Sequence, residues 1–198
     1  LGAAGYGGDK AIFGYGSTGS DLSMTNLVSN SGVVSTDVTG VGTARRDIRA
    51  TTYGLDKAIF GYGVTSGVVS ITNLVNSSGV VSTDVTGVGT AREQLGAAGY
   101  GGDKAIFGYG TNGGNVSMTN LVSSSGVVSA DVSGVGTGRY ALAAASYGSD
   151  KALFGYGYAS SYVSITNLVS NTGVVSSDVS GVGTARFRLA AASYGGDK

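Results

Sequence analysis

Short runs of β-prone, apolar residues recur along the chain, each closed by glycine-rich, serine-rich or asparagine-rich punctuation. Taking the stretch from Leu95 as the example, the pattern predicts four strands. The first runs over Leu95–Tyr100 and the second over Lys104–Tyr109, joined by Gly101-Gly102-Asp103. Glycines between two such runs mark a tight hairpin, because they supply positive φ without steric cost. The third strand is expected over Val116–Val122 and the fourth over Val127–Val132, with Ser123-Ser124-Ser125-Gly126 between them. The second strand would set Ala105, Phe107 and Tyr109 on one face and Ile106 on the other. Both faces are apolar, as in a strand sandwiched between neighbouring sheets. Glycine recurs too often for helix, and no apolar stripe of period 3.6 is present.

The pattern repeats. Asp-Lys occurs at Asp9, Asp56, Asp103, Asp150 and Asp197, each 47 residues after the last, with no insertion or deletion. Around it the copies nearly superimpose, with KAIFGYG or KALFGYG, then TNLV, GVVS and GVGTAR or GVGTGR. Boundaries at Asp-Lys divide the chain into a partial strand (1–8), four repeats (9–55, 56–102, 103–149, 150–196) and the start of a further one (197–198). A unit this small cannot bury both faces of its sheet alone, so it must stack on its copies. Radial stacking of four-stranded antiparallel blades of this length gives a β-propeller, and linear stacking a β-solenoid. The repeat length favours the propeller. The expected class is therefore all-β with no helix, in one propeller or part of a larger one.

Composition narrows the function. Charged residues are 12% of the chain, against roughly 25% in an average domain, and the formal net charge is zero. There is no basic excess for nucleic acid and no apolar run near the ~20 residues that span a bilayer. Hydrophobic residues at 41% set the chain apart from disordered sequences. Histidine and cysteine are absent, which removes the usual general base and the commonest soft metal ligands. No catalytic residue, metal site or cofactor is expected.

Each copy carries, at a fixed phase, an Arg (Arg45, Arg92, Arg139, Arg186), an Asp (Asp37, Asp84, Asp131, Asp178) and an Asn (Asn26, Asn73, Asn120, Asn167). The Arg and Asp are read as hydrogen bonds or ion pairs between repeats, and the Asn as satisfying backbone groups inside the sheet. Gly14 to Gly19 matches G-x-G-x-x-G, but nothing helical follows to aim at a pyrophosphate, so it reads as a turn.

The copies differ mainly in two windows. One is the loop after GYG: STGSDL from Ser17, VTSGVV from Val64, TNGGNV from Thr111 and YASSYV from Tyr158. The other follows the Arg: Arg46-Asp47-Ile48-Arg49, Glu93-Gln94, Tyr140-Ala141 and Phe187-Arg188. Either these are the unconstrained loops, or they face a ligand. The ligand reading selects Arg46, Arg49, Tyr140, Tyr158, Tyr162 and Phe187, since Tyr and Arg are enriched at binding hot spots.

The stretch RYALAAASYGSDKALFGYG, Arg139–Gly157, resembles the start of a kelch repeat: an Arg before a small-residue strand, a turn, then an apolar strand ending in paired glycines. Here Tyr15, Tyr62, Tyr109 and Tyr156 split those glycines, and the place of the kelch Trp holds a valine such as Val34 or Val175. The repeats are also similar to tandem arrays in predicted proteins of marine phages and bacteria. That resemblance implies a propeller, six to eight blades in the parent, and a virion or extracellular, cell-surface location. The expectation is a non-catalytic structural and recognition module of a phage appendage (tail or fibre) or surface protein. Its partners would be a protein or glycan surface or other subunits, including further copies of itself. Alternatives are a structural spacer or filament subunit, and a non-catalytic propeller of a larger extracellular enzyme or lectin.

Overall fold

A computed structural model describes residues 1–196; the expected start of a further repeat at 197–198 lies outside them. Within the described residues the chain is all-β without helix, so no helix is long and apolar enough to cross a membrane. Twelve strands form four three-stranded antiparallel sheets. They are β1 (Gly2–Tyr6), β2 (Lys10–Ser17) and β3 (Asp21–Val28); β4 (Arg49–Tyr53), β5 (Lys57–Gly61) and β6 (Thr72–Val75); β7 (Gly96–Tyr100), β8 (Lys104–Gly108) and β9 (Thr119–Val122); β10 (Ala143–Tyr147), β11 (Lys151–Gly155) and β12 (Thr166–Val169). Every sheet follows chain order with its second strand central.

The predicted hairpin forms as expected. Tyr100 pairs with Lys104 across Gly101 and Gly102, whose φ values are 62° and 79°. At the same place Leu55 and Ser149 hold φ of 72° and 67°, a left-handed conformation that costs a residue with a Cβ roughly 1–2 kcal/mol. Each of the first three turns also reaches the next sheet, as where the Gly54 N–H donates to Asp103 O at 2.7 Å.

The sheets have three strands, not the expected four. The segment predicted as the fourth meets the third at only two isolated bridges, Val122 with Val128 and Thr119 with Val132. Their register differs by one residue, so a bulge falls between them. Ser129 causes it. Its hydroxyl accepts from the Leu121 N–H at 3.0 Å, and the Asn120 side-chain amide donates to Ser129 O at 3.0 Å. Side chains thus take over bonds that a regular ladder would make between main-chain groups. The third strand is also shorter than predicted, because Tyr109 enters the left-handed region (φ 63°) and breaks the ladder after Gly108.

The four sheets stack through their faces. Three apolar clusters form the core, and each joins two successive sheets. In the middle one Tyr53, Ile59 and Tyr62 meet Leu95, Ala105, Phe107 and Val122. Ile59 and Phe60 point to opposite faces of β5 and both are fully buried, so both faces are apolar as predicted. Tyr109, expected beside Ala105 and Phe107, packs instead with Ile106, because its left-handed backbone turns the ring to the other face. The first strands β1, β4, β7 and β10 lie side by side, which their Gly, Ala, Ser and Thr residues permit. The Thr52 hydroxyl donates to Gly5 O at 3.1 Å and Ser146 to Gly99 O at 2.9 Å, each spanning 47 residues.

Candidate functional site

The repeated polar residues are consumed at the joints between sheets. Arg92 is fully buried. Its Nε donates to Tyr109 O at 2.9 Å, Nη1 to Thr90 O at 2.9 Å and Nη2 to Asn120 Oδ1 at 2.6 Å. Its guanidinium also lies 4.4 Å above the Tyr62 ring. The Asp131 carboxylate approaches Nη1 at 3.9 Å and accepts from the Thr90 N–H, the Thr90 hydroxyl and the Asn120 amide. Arg45 makes the same set with Tyr62 O, Thr43 O and Asn73. Arg139 departs slightly: its Nη2 reaches Phe154 O at 3.4 Å and Asn167 Oδ1 is left without a partner. Burial pushes the Asp131 carboxyl up, but hydrogen bonds from Thr90 and Asn120, helped by Arg92, outweigh it and leave its pKa lowered. These Arg, Asp and Asn residues therefore tie repeats together.

The tyrosine that splits the paired glycines belongs to the same joint. Tyr62 and Tyr109 are fully buried and donate their hydroxyls to Val88 O and Val135 O. The next repeat's phenylalanine packs on each ring, with centroids 5.2 Å apart for Tyr62 and Phe107. The G-x-G-x-x-G match at Gly14 lies in β2 and the turn after it, with no helix following.

Burial lifts the phenols of Tyr62 and Tyr109 to about 12, with the nearby arginines pulling the other way. A folded value above the unfolded one, about 10, makes a contribution that is complete below pH 10 and lost as pH rises to 12. Each tyrosine should then withdraw about 2–3 kcal/mol of stability across that window. Phenolate absorbance and circular dichroism followed together should show ionisation coinciding with unfolding. Ionisation of all twelve phenols near pH 10 in a chain that stays folded would refute it.

The two variable windows meet. The residue after the Arg of one repeat bridges to the loop of the next: Arg46 with Val64, Glu93 with Thr111, and Tyr140 with Tyr158. Each loop residue then bridges across its own turn, Val64 to Val68, Thr111 to Asn115 and Tyr158 to Tyr162. Residues from adjacent repeats thus form three short transverse ladders, one at each joint. Their chemistry changes from joint to joint. Arg46, paired with Asp21 at 3.0 Å, adjoins Val64 and Val68. Glu93, Thr111 and Asn115 are polar, and the third ladder is aromatic throughout.

That aromatic end contains four of the six residues singled out from the sequence. Tyr140 and Tyr158 have ring centroids 5.4 Å apart, and Tyr158 and Tyr162 5.6 Å. Phe187 stacks on Tyr162 at 4.9 Å with planes 19° apart, and Arg188 lies 5.3 Å from the Phe187 ring. Tyr162 is 54% exposed, although surrounded by aromatic partners. Arg46 belongs to the row, at its first joint. Arg49 does not: it opens β4 and lines a separate cavity among the first strands. Sequence variation could have nominated Val64, Val68, Glu93, Thr111 and Asn115 for the row, but only the fold shows that they adjoin.

No protein-family model matches the chain, and comparison with curated proteins finds no relative.

Proposed function

We propose that this chain is a non-catalytic recognition module with propeller-like, kelch-like geometry, serving a phage appendage or a surface protein. The row of variable residues binds a protein or glycan surface. The observation that carries the reading is the convergence of two sequence-distant windows, where the copies differ most, on adjoining positions of a near-invariant scaffold. Exposed aromatic clusters with a neighbouring Arg suit such contacts. Five copies of the first-strand segment line one cavity of about 540 Å³, which supports radial over linear stacking. Low charge and zero net charge favour a component of an assembly.

The test uses residues that the preceding repeat already carries: Tyr140→Glu, Tyr158→Thr and Tyr162→Asn together. Binding to a glycan panel and to bacterial cells should fall at least about tenfold, equivalent to about 1.4 kcal/mol, with melting little changed. Unchanged binding, or none by the parent chain, would remove the support for this reading.

A second reading, a spacer or filament subunit, draws on the outer faces. Arg186 lies 4.8 Å over Tyr156 beside Thr184 on one of them, while Asn26 bonded to Asp37 lies exposed on the other. These are complementary halves of the joint made three times inside the chain, so a further repeat in register satisfies both. Sedimentation at rising concentration separates the readings, since head-to-tail growth would favour the second.

A further inference from the structure

Arg49 occupies a position that is Gly2, Gly96, Ala143 and Ala190 in the other copies. It lines the open cavity of about 540 Å³ bordered by the first strands, and it is the one charged side chain among the described residues there. The remaining lining side chains are Ala, Leu, Ser and Thr. The guanidinium is partly buried and, among the described residues, has one hydrogen-bond acceptor, the carbonyl of Ile48 at 2.9 Å. A guanidinium carries five N–H donors. The joint arginines show what this fold normally supplies, since Arg92 has three acceptors and a carboxylate nearby. Arg49 has far less, and burial pulls its pKa down with only Asp47 opposing. A partly desolvated cation with unused donors recognises an oxyanion, and its planar fork matches a carboxylate in two parallel bonds.

The wall also restricts the ligand. Strands β1, β4, β7 and β10 each form the edge of a sheet, paired only with the second strand. Alternate residues of an edge strand leave N–H and C=O groups unpaired. The cavity bounded by these strands therefore offers main-chain donors and acceptors beside small methyl groups. Its volume is ordinary for a small-molecule site. We infer that this cavity binds a small hydroxylated carboxylate, an acidic sugar, with Arg49 pairing the carboxylate and the strand edges meeting the hydroxyls. The site is independent of the variable row and stands whether or not the row binds anything.

Titration calorimetry of the full chain with D-glucuronate tests this, with D-glucose and inorganic sulfate as comparisons. Glucuronate should bind saturably, and glucose and sulfate each at least about tenfold more weakly. Arg49→Gly should lose at least about tenfold in glucuronate affinity and keep its melting temperature, because two other copies carry glycine there. The Tyr140→Glu, Tyr158→Thr, Tyr162→Asn variant should bind glucuronate like the parent. The inference is overturned if glucuronate fails to bind, if Arg49→Gly binds equally well, or if glucose or sulfate matches glucuronate. Loss of glucuronate binding in the row variant alone would also overturn it.

Discussion

Arg92→Ala should destabilise the chain by about 3–5 kcal/mol, the range for breaking a buried, hydrogen-bonded charge site. The side chain is fully buried and fills the joint between the second and third sheets. Truncation strands Tyr109 O and Asn120 Oδ1, which accept at 2.9 and 2.6 Å, in a place that water enters poorly. Unsatisfied buried acceptors of this kind cost about 1–3 kcal/mol each. It also removes the cation over Tyr62 at 4.4 Å and leaves the Asp131 carboxylate without its nearest positive charge. Arg92→Lys restores the charge but cannot reach three acceptors arranged around a planar fork, so it should recover less than half the loss. Arg186→Ala provides the internal comparison. That arginine is exposed and keeps a single hydrogen bond, to Thr184 O at 3.4 Å, so its removal should cost less than about 1 kcal/mol. Urea unfolding midpoints distinguish these cases. An Arg92→Ala protein within about 1 kcal/mol of the parent would mean that apolar packing alone holds the joint.

The joint was legible in outline because it uses one Arg, one Asp and one Asn at fixed phase, and buried charges must be paired. Its partners were harder to read. In the sequence the Arg and Asp read as contacts between repeats, but Asn120 reads only as a partner of main-chain groups inside its sheet, whereas Asn120 both donates to Ser129 O and accepts from Arg92 of the preceding repeat. The hairpins and the two-faced central strands followed from glycine placement and from alternation of apolar residues, signals that are local in the chain. The fourth strand failed for a reason that strand propensity does not encode. Ser129 is β-tolerant and sits among valines, yet its hydroxyl replaces a ladder acceptor and creates a bulge. Tyr109 has strong strand propensity, but its backbone is left-handed because the ring, the Arg139 cation at 4.3 Å and Phe154 together fix it.

The candidate residues divided for a similar reason. Variation placed Arg46 and Arg49 in one window, but Ile48 between them is buried in the core. The chain crosses from the variable row to the first strand within these residues. Arg46 therefore stays beside Val64, and Arg49 enters the cavity wall. Tyr140 and Tyr158 are 18 positions apart, in different copies, and become bridge partners only because one repeat's end runs beside the next repeat's loop.

Phe107→Ala should cost about 3–5 kcal/mol, whereas Phe13→Ala, the same residue of the first repeat, should cost less than about 1. Phe107 is fully buried, with its ring against Tyr62 and over Gly61, where an added Cβ would lie 2.8 Å from the ring. Its removal opens a hole in the middle core cluster, between two sheets that are each held in place by their own ladders. Phe13 occupies the same strand position but is 40% exposed, so little packing is lost with it. Intrinsic strand propensity is the same for both, and the difference isolates the contribution of the joint. Because each core cluster spans two successive sheets, stability resides in nearest-neighbour contacts, as in quasi-one-dimensional repeat proteins. Weakening the central joint should therefore also broaden the unfolding transition, as sheets one and two begin to melt separately from three and four. Equal losses for the two substitutions, with a transition as sharp as the parent's, would show that each sheet carries its own core and that stacking adds little.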